Sequence, residues 1–169
     1  MTNKHTLHVV LTAVFAAMIT VMTAYICHIP TGVNEGYIHF GDALIYIAAA
    51  VLPVPYAMAA GAIGGGLADL LTAPVWAIAT IIIKMLICLP ITSKKEKIIC
   101  PRNVIAVIMS GLISASGYLI AQGIMFGTWA AAVAGLSGSA IQSGGSTIIF
   151  ILLGLALDKI GLKGRIKTI

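Results

Sequence analysis

A chain of 169 residues with 60% hydrophobic residues, 9% charged residues and a mean hydropathy of +1.07 is not a water-soluble domain and reads as an integral membrane protein. Its formal net charge of +5 is concentrated at loops and termini, which argues for membrane topology and against nucleic-acid binding. Three cysteines, Cys27, Cys88 and Cys100, contain no C-x-x-C pair, so neither a disulfide framework nor a zinc site is supported and small buried apolar roles are expected.

In chain order, apolar runs measured against the roughly 20 residues of a spanning helix give six segments. They lie near 7–27, 42–53, 56–72, 75–92, 103–127 and 137–157. The first is too long for the apolar core of a signal peptide and reads as a retained span. Val51-Leu-Pro-Val-Pro-Tyr56 separates the second from the third, because two prolines remove backbone donors and disfavour helix before each. Leu71-Thr-Ala-Pro74 turns the third into the fourth, and Ser93–Arg102 is the one clearly polar internal loop. The expected fold is an all-α, six-transmembrane-helix bundle forming one domain over 1–169.

Nine of the ten Lys and Arg residues fall with the N-terminus, the 93–102 loop and the C-terminus. The positive-inside rule then puts both termini in the cytoplasm, with Glu35, Asp42 and Asp69 on the opposite, outer face. Trp76 and Trp129 fall at that outer boundary, where amphipathic rings favour the interface.

The tenth cation, Lys84, lies inside Thr80-Ile-Ile-Ile-Lys-Met-Leu-Ile-Cys-Leu89. A cation at bilayer depth is disfavoured by about 3 kcal/mol or more unless it meets a carboxylate, water or a ligand. Asp69, near the end of the third segment, is offset by about 9 Å in depth, within reach of a lysine stem. Lys84 therefore either pairs with Asp69, holds a solute in an outward cavity, or snorkels to solvent.

The first outer loop, Cys27 to Asp42, holds most of the outer-face chemistry. Glycines at 32, 36 and 41 give it freedom, Tyr37, His39 and Phe40 offer stacking surfaces, and Asn34, Glu35 and Asp42 offer hydrogen bonds. It is read either as a lid over a solute site or as an interfacial loop. Asp42 is equally read as a helix N-cap, and His39 as a hydrogen-bonding loop residue rather than a metal ligand. Tyr118 and Gln122 approach the same face on the fifth segment, and Ser137, Ser139, Gln142, Ser143 and Ser146 follow on the sixth. The serines suit helix packing, whereas a primary amide such as Gln142 needs several partners in hydrocarbon.

Small residues recur every four positions, as Ala57, Gly61 and Gly65 and as Ala60, Gly64 and Ala68 on the third segment, and as Ala13 and Ala17 on the first. Such rows permit close helix approach or, if outward-facing, docking of another membrane subunit. Gly135-Leu-Ser-Gly138 matches the short string of intramembrane serine proteases, but no histidine follows position 39, and no phosphate-binding loop is present. The chain is expected to be no enzyme, to carry no cofactor or metal, and to hydrolyse no ATP itself.

Gly36-Tyr-Ile-His-Phe-Gly-Asp42, Ala60-Gly-Ala-Ile-Gly-Gly-Gly-Leu-Ala-Asp69, Pro74 and Thr80–Lys84 resemble the loop-one, third-helix and fourth-helix pattern of S components of energy-coupling factor (ECF) transporters. The branch includes riboflavin-, pyridoxine- and hydroxymethylpyrimidine-type subunits. This resemblance implies a substrate-binding subunit in a prokaryotic plasma membrane that works with a transmembrane T subunit and two ATPase subunits. Ala13 and Ala17 are similar to the family's surface for the T subunit. The implied pocket combines loop one with helices four to six, and the candidate substrate-binding residues are Asn34, Tyr37, His39, Asp42, Asp69, Lys84, Tyr118, Gln122, Gln142 and Ser143. A planar heterocycle with hydrogen-bonding edges suits that set: pyridoxine, hydroxymethylpyrimidine, riboflavin or a queuosine precursor. The alternative is a self-contained homo-oligomeric carrier or channel.

Overall fold

A computed structural model of the chain describes residues 4–26, 28–30, 37–127 and 129–168. Helix α1, Lys4–Val21, runs on into a π-helical turn, Met22–Ile26. Two short antiparallel strands follow, β1 at Ile29–Pro30 and β2 at Tyr37–Ile38, with Ile29 opposite Ile38. Then come α2 at Asp42–Val51, α3 at Val54–Thr72, a 3-10 turn at Pro74–Trp76 and α4 at Ala77–Leu86. Helices α5 at Pro101–Phe126, α6 at Trp129–Ala134, α7 at Leu136–Lys159 and α8 at Leu162–Thr168 complete the described chain.

Four stretches, Lys4–Ile26, Val54–Thr72, Pro101–Phe126 and Trp129–Lys159, are long and apolar enough to cross a membrane by length and composition. The expected second and fourth segments are shorter apolar helices, Asp42–Val51 and Pro74–Leu86. The ten residues of α2 rise about 15 Å, half the thickness of a bilayer's hydrocarbon. Pro53 and Pro55 stop α2 and open α3, and Leu52 closes α2 with an extended backbone. Helix α4 ends at Leu86 rather than near 92, and Pro90, which has no amide donor, closes the turn at 87–90 that follows it.

Helix α2 is enclosed rather than amphipathic. Eight of its ten residues are buried, from Asp42 to Ala50, between α1, α3 and α7. Ile45, Tyr46, Ile47, Ile87, Val107 and Phe150 fill the core around it, while Ile63, Leu70, Ile78, Ile105, Leu112, Ile148 and Leu152 stand exposed around the bundle. An outer surface this apolar matches lipid rather than water.

The glycine row of α3 places its neighbours. A Cβ on Gly64 would lie 2.8 Å from the Ala16 carbonyl oxygen of α1, and a Cβ on Gly65 would lie 2.9 Å from Lys84 Cγ of α4. The row therefore separates into two contacts, one admitting the backbone of α1 and one admitting the lysine stem. Ala13 and Ala17 point the other way and are exposed on α1.

One end of the bundle gathers the basic loop. Asn103 donates from Nδ2 to the carbonyls of Thr92 and Ile98 at 3.1 and 3.0 Å and accepts from the Thr92 amide at 3.1 Å. The Asp158 carboxylate accepts from the amides of Ile98 and Ile99 at 2.7 and 2.9 Å. Lys163 donates to the carbonyls of Ser93 and Lys95 at 2.8 and 2.6 Å. Irregular backbone is thus satisfied by side chains of α5, α7 and α8.

Candidate functional site

The opposite end of the bundle opens into a cavity of about 540 Å³. Tyr37, Ile38 and His39 form one side, Asp69 and Trp76 a second, Tyr118 and Gln122 of α5 a third, and α6 with the start of α7 the last, where Ser137, Ser139 and Gln142 face in. The volume suits a drug-sized or vitamin-sized molecule.

Local sequence explains how these groups converge. The two-stranded hairpin returns the chain across the bundle mouth and delivers Tyr37 and His39. Gly41 lets the chain pass against the π-helical turn of α1, since a Cβ there would lie 2.0 Å from Thr23 Oγ1. Phe40 then packs on α7 at Gly145, where a Cβ would meet its ring at 2.2 Å. Pro74 begins the 3-10 turn that swings Trp76 inward, so this tryptophan is only 6% exposed and is not the interfacial ring expected of it. Its indole meets Tyr118 edge-on at 5.8 Å and Phe126 at 5.6 Å. Trp129 is 54% exposed and its ring lies against Gly123.

Among the described residues, two carboxylates lie at this end. Asp42 is fully buried with both oxygens partnered: one oxygen accepts from Lys84 Nζ at 2.6 Å, the other from Gln142 Nε2 at 3.1 Å. The Gln142 amide is used at both ends, because its Oε1 accepts from the His39 backbone amide at 3.3 Å. Lys84 is 1% exposed, with its ammonium also 5.2 Å from the Tyr118 ring centroid. Of the three readings of Lys84, the structure shows an ion pair, with Asp42 as the partner rather than Asp69. Asp42 follows Gly41, which holds the N-cap position, and no side-chain cap bond forms, so Asp42 is a lysine partner rather than a cap.

Asp69 is the carboxylate on the cavity wall, and it accepts from the Tyr37 hydroxyl. Burial, and next the Asp69 charge, hold the Tyr37 hydroxyl well above its ordinary pKa, so it remains a donor. The Tyr37 ring stacks on His28 at 4.0 Å. Tyr118 and Thr80 hydroxyls meet at 2.9 Å. His39 Nδ1 accepts from the Gly41 amide at 3.1 Å, which leaves the neutral ring's proton on Nε2. Burial first and then the Lys84 charge lower the His39 pKa to about 3, so the ring is neutral at physiological pH.

Of the residues anticipated from sequence, Tyr37, His39, Asp69, Tyr118, Gln122 and Gln142 line the cavity. Asp42 and Lys84 lie behind the wall and reach it through Gln142 and Tyr118. Ser143 is not brought to the lining: its Cβ lies 3.0 Å from where Gly111 of α5 would carry one, a packing contact between helices. Asn34 lies outside the described residues. Trp76, Ser137 and Ser139 line the cavity although the sequence assigned them to the interface and to packing. The early turn at Pro74 was the available signal for Trp76; an i, i+2 pair of serines carries none.

A relative in Pyrococcus woesei, described as "Uncharacterized protein in gap 3'region", is 27% identical over 139 residues, which cover 82% of this chain and 93% of the relative. The family model for "ECF-type riboflavin transporter, S component" matches residues 3–159, so nearly all of the described bundle and every cavity wall falls within it. An ECF S component is a vitamin-type substrate-binding transport subunit, and an apolar-surfaced bundle holding a solute-sized cavity is compatible with such a task. The chain belongs to the ECF-type riboflavin transporter S component family.

Proposed function

We propose that the protein captures a planar heterocyclic micronutrient in the cavity at the hairpin end and delivers it for ATP-driven import. The observation that carries this reading is the cavity of about 540 Å³ with three aromatic rings, Tyr37, Trp76 and Tyr118, and hydrogen-bonding groups from Gln122, Gln142 and the serines between them. Rings stack on a flat solute while amides read its edges. Pyridoxine, hydroxymethylpyrimidine, riboflavin and a queuosine precursor all meet that description. The cavity end faces outward and the basic end, with both termini, faces the cytoplasm, because nine of ten basic residues lie at the latter. On this reading α2 and the Pro74–Leu86 stretch complete six membrane-crossing segments, shielded by neighbours where they are short.

The T subunit and two ATPase subunits supply transport energy, with Ala13 and Ala17 on the exposed face of α1 as the docking row. Co-expression with an ECF T subunit and its ATPases tests this directly. Recovery of a complex, uptake that stops when the ATPases are disabled, and loss of the complex on Ala13→Leu/Ala17→Leu are expected. ATP-independent flux through liposomes holding this chain alone would instead support a self-contained carrier.

A further inference from the structure

The cavity wall has an unbalanced charge pattern. Among its described lining residues Asp69 is a carboxylate, and none is a lysine or arginine. The lysine nearest in depth, Lys84, is held by Asp42 at 2.6 Å, and among the described residues no cationic side chain lies in ion-pair distance of Asp69. What Asp69 receives are neutral donors, the hydroxyls of Tyr37 and Thr80, while the Lys84 charge acts on it from beyond ion-pair distance. Its side of the cavity also carries the aromatic faces and edges of Tyr37, Trp76 and Tyr118. A carboxylate desolvated without a cation is costly, and aromatic faces favour positive over negative charge. A phosphate monoester would add about two negative charges opposite Asp69 with no lysine or arginine to receive them.

We infer that Asp69, positioned by Tyr37, makes this a site for heterocycles that bring an amino or ammonium group, and that it excludes their phosphate esters. The inference rests on the capture reading above and adds the charge class of the solute. Asp69 receives the amino group, Tyr37 fixes the carboxylate's orientation, and the rings hold the heterocycle's plane.

The test uses matched probes and the purified full chain in lipid nanodiscs, with binding followed by calorimetry. Pyridoxamine and pyridoxine differ by one ammonium for one hydroxyl; 4-amino-5-hydroxymethyl-2-methylpyrimidine carries a ring amine; riboflavin and riboflavin 5'-phosphate differ by the ester. The wild type is expected to prefer the amino member of the first pair by tenfold or more and to bind riboflavin 5'-phosphate at least a hundredfold more weakly than any unphosphorylated probe that binds. Asp69→Asn should erase the amino preference, whereas Tyr37→Phe, which keeps the carboxylate, should retain it in part. Ester binding equal to that of the parent in the wild type, or an amino preference unchanged in a folded Asp69→Asn protein, overturns charge selection alone. No binding of any probe removes the capture reading with it.

Discussion

Asp42 and Asp69 are two aspartates at the same end of one bundle, both buried, and their surroundings give them different work. Asp42 has Lys84 on one oxygen and Gln142 on the other, so its charge is balanced before any solute arrives. Asp69 has the hydroxyls of Tyr37 and Thr80, no cation in ion-pair distance among the described residues, and a cavity. In a low-dielectric interior the paired carboxylate becomes part of the frame, and the one without an ion pair is the group we propose for recognition. The Gln142 amide ties the two together, since it holds Asp42 from behind, receives the His39 amide and lines the cavity.

The largest expected effect comes from breaking the frame. Lys84→Met leaves Asp42 buried without its cation and should destabilise the fold by about 3–5 kcal/mol, read as a loss of folded protein in detergent. Adding Asp42→Asn should recover much of that loss, and Asp69→Asn should recover none; rescue by the latter would reassign the lysine's partner. Next in size is Gly64→Leu, which forces α1 away from α3 and should cost about 1–3 kcal/mol in thermal denaturation. Asp69→Asn alone should leave the melting temperature within a few degrees of wild type while altering solute binding, which separates recognition from frame.

A pH effect on His39 comes next. Its ordinary pKa is 6.5 and its folded value is lowered to about 3, so the unfolded chain binds a proton that the folded chain does not. Stability linked to this ring is complete above about pH 6.5 and falls as pH drops toward 3, by at most one proton's worth of slope. Melting temperatures of wild type and His39→Gln across that window should converge at the acid end. The smallest effect belongs to Ser143→Ala, expected within about 0.5 kcal/mol and without change in binding, because this side chain sits between α5 and α7.

Proline positions made much of the architecture legible in sequence. Pro53 and Pro55 marked the α2–α3 boundary within a residue or two, and Pro74 marked the end of α3. The long segments near 103–127 and 137–157 correspond to α5 and α7 because their apolar runs are continuous. The early end of α4 was hidden, since Ile87, Cys88 and Ile91 remain buried after the helix stops and so keep the run apolar. Lys84 advertised itself as a charge needing a partner, yet depth along one hairpin suggested Asp69 while the packing of α2 inside the bundle supplied Asp42. Partners 42 residues apart are selected by helix register, which no local pattern encodes. For the same reason Ser137 and Ser139 were indistinguishable from packing serines until α6 turned the start of α7 toward the cavity.

Trp76 lies in the cavity wall, and Trp129 is the other tryptophan, so a Trp129→Phe protein reports from the cavity by fluorescence. Titrating this variant, purified without any partner subunit, with amino-bearing and neutral heterocycles tests most directly whether the cavity captures a solute by itself. Saturable quenching at one solute per chain is expected, weakened tenfold or more by Asp69→Asn for the amino-bearing solute. Absence of saturable quenching by every heterocycle tried, or quenching that needs the ATPase subunits, would contradict it.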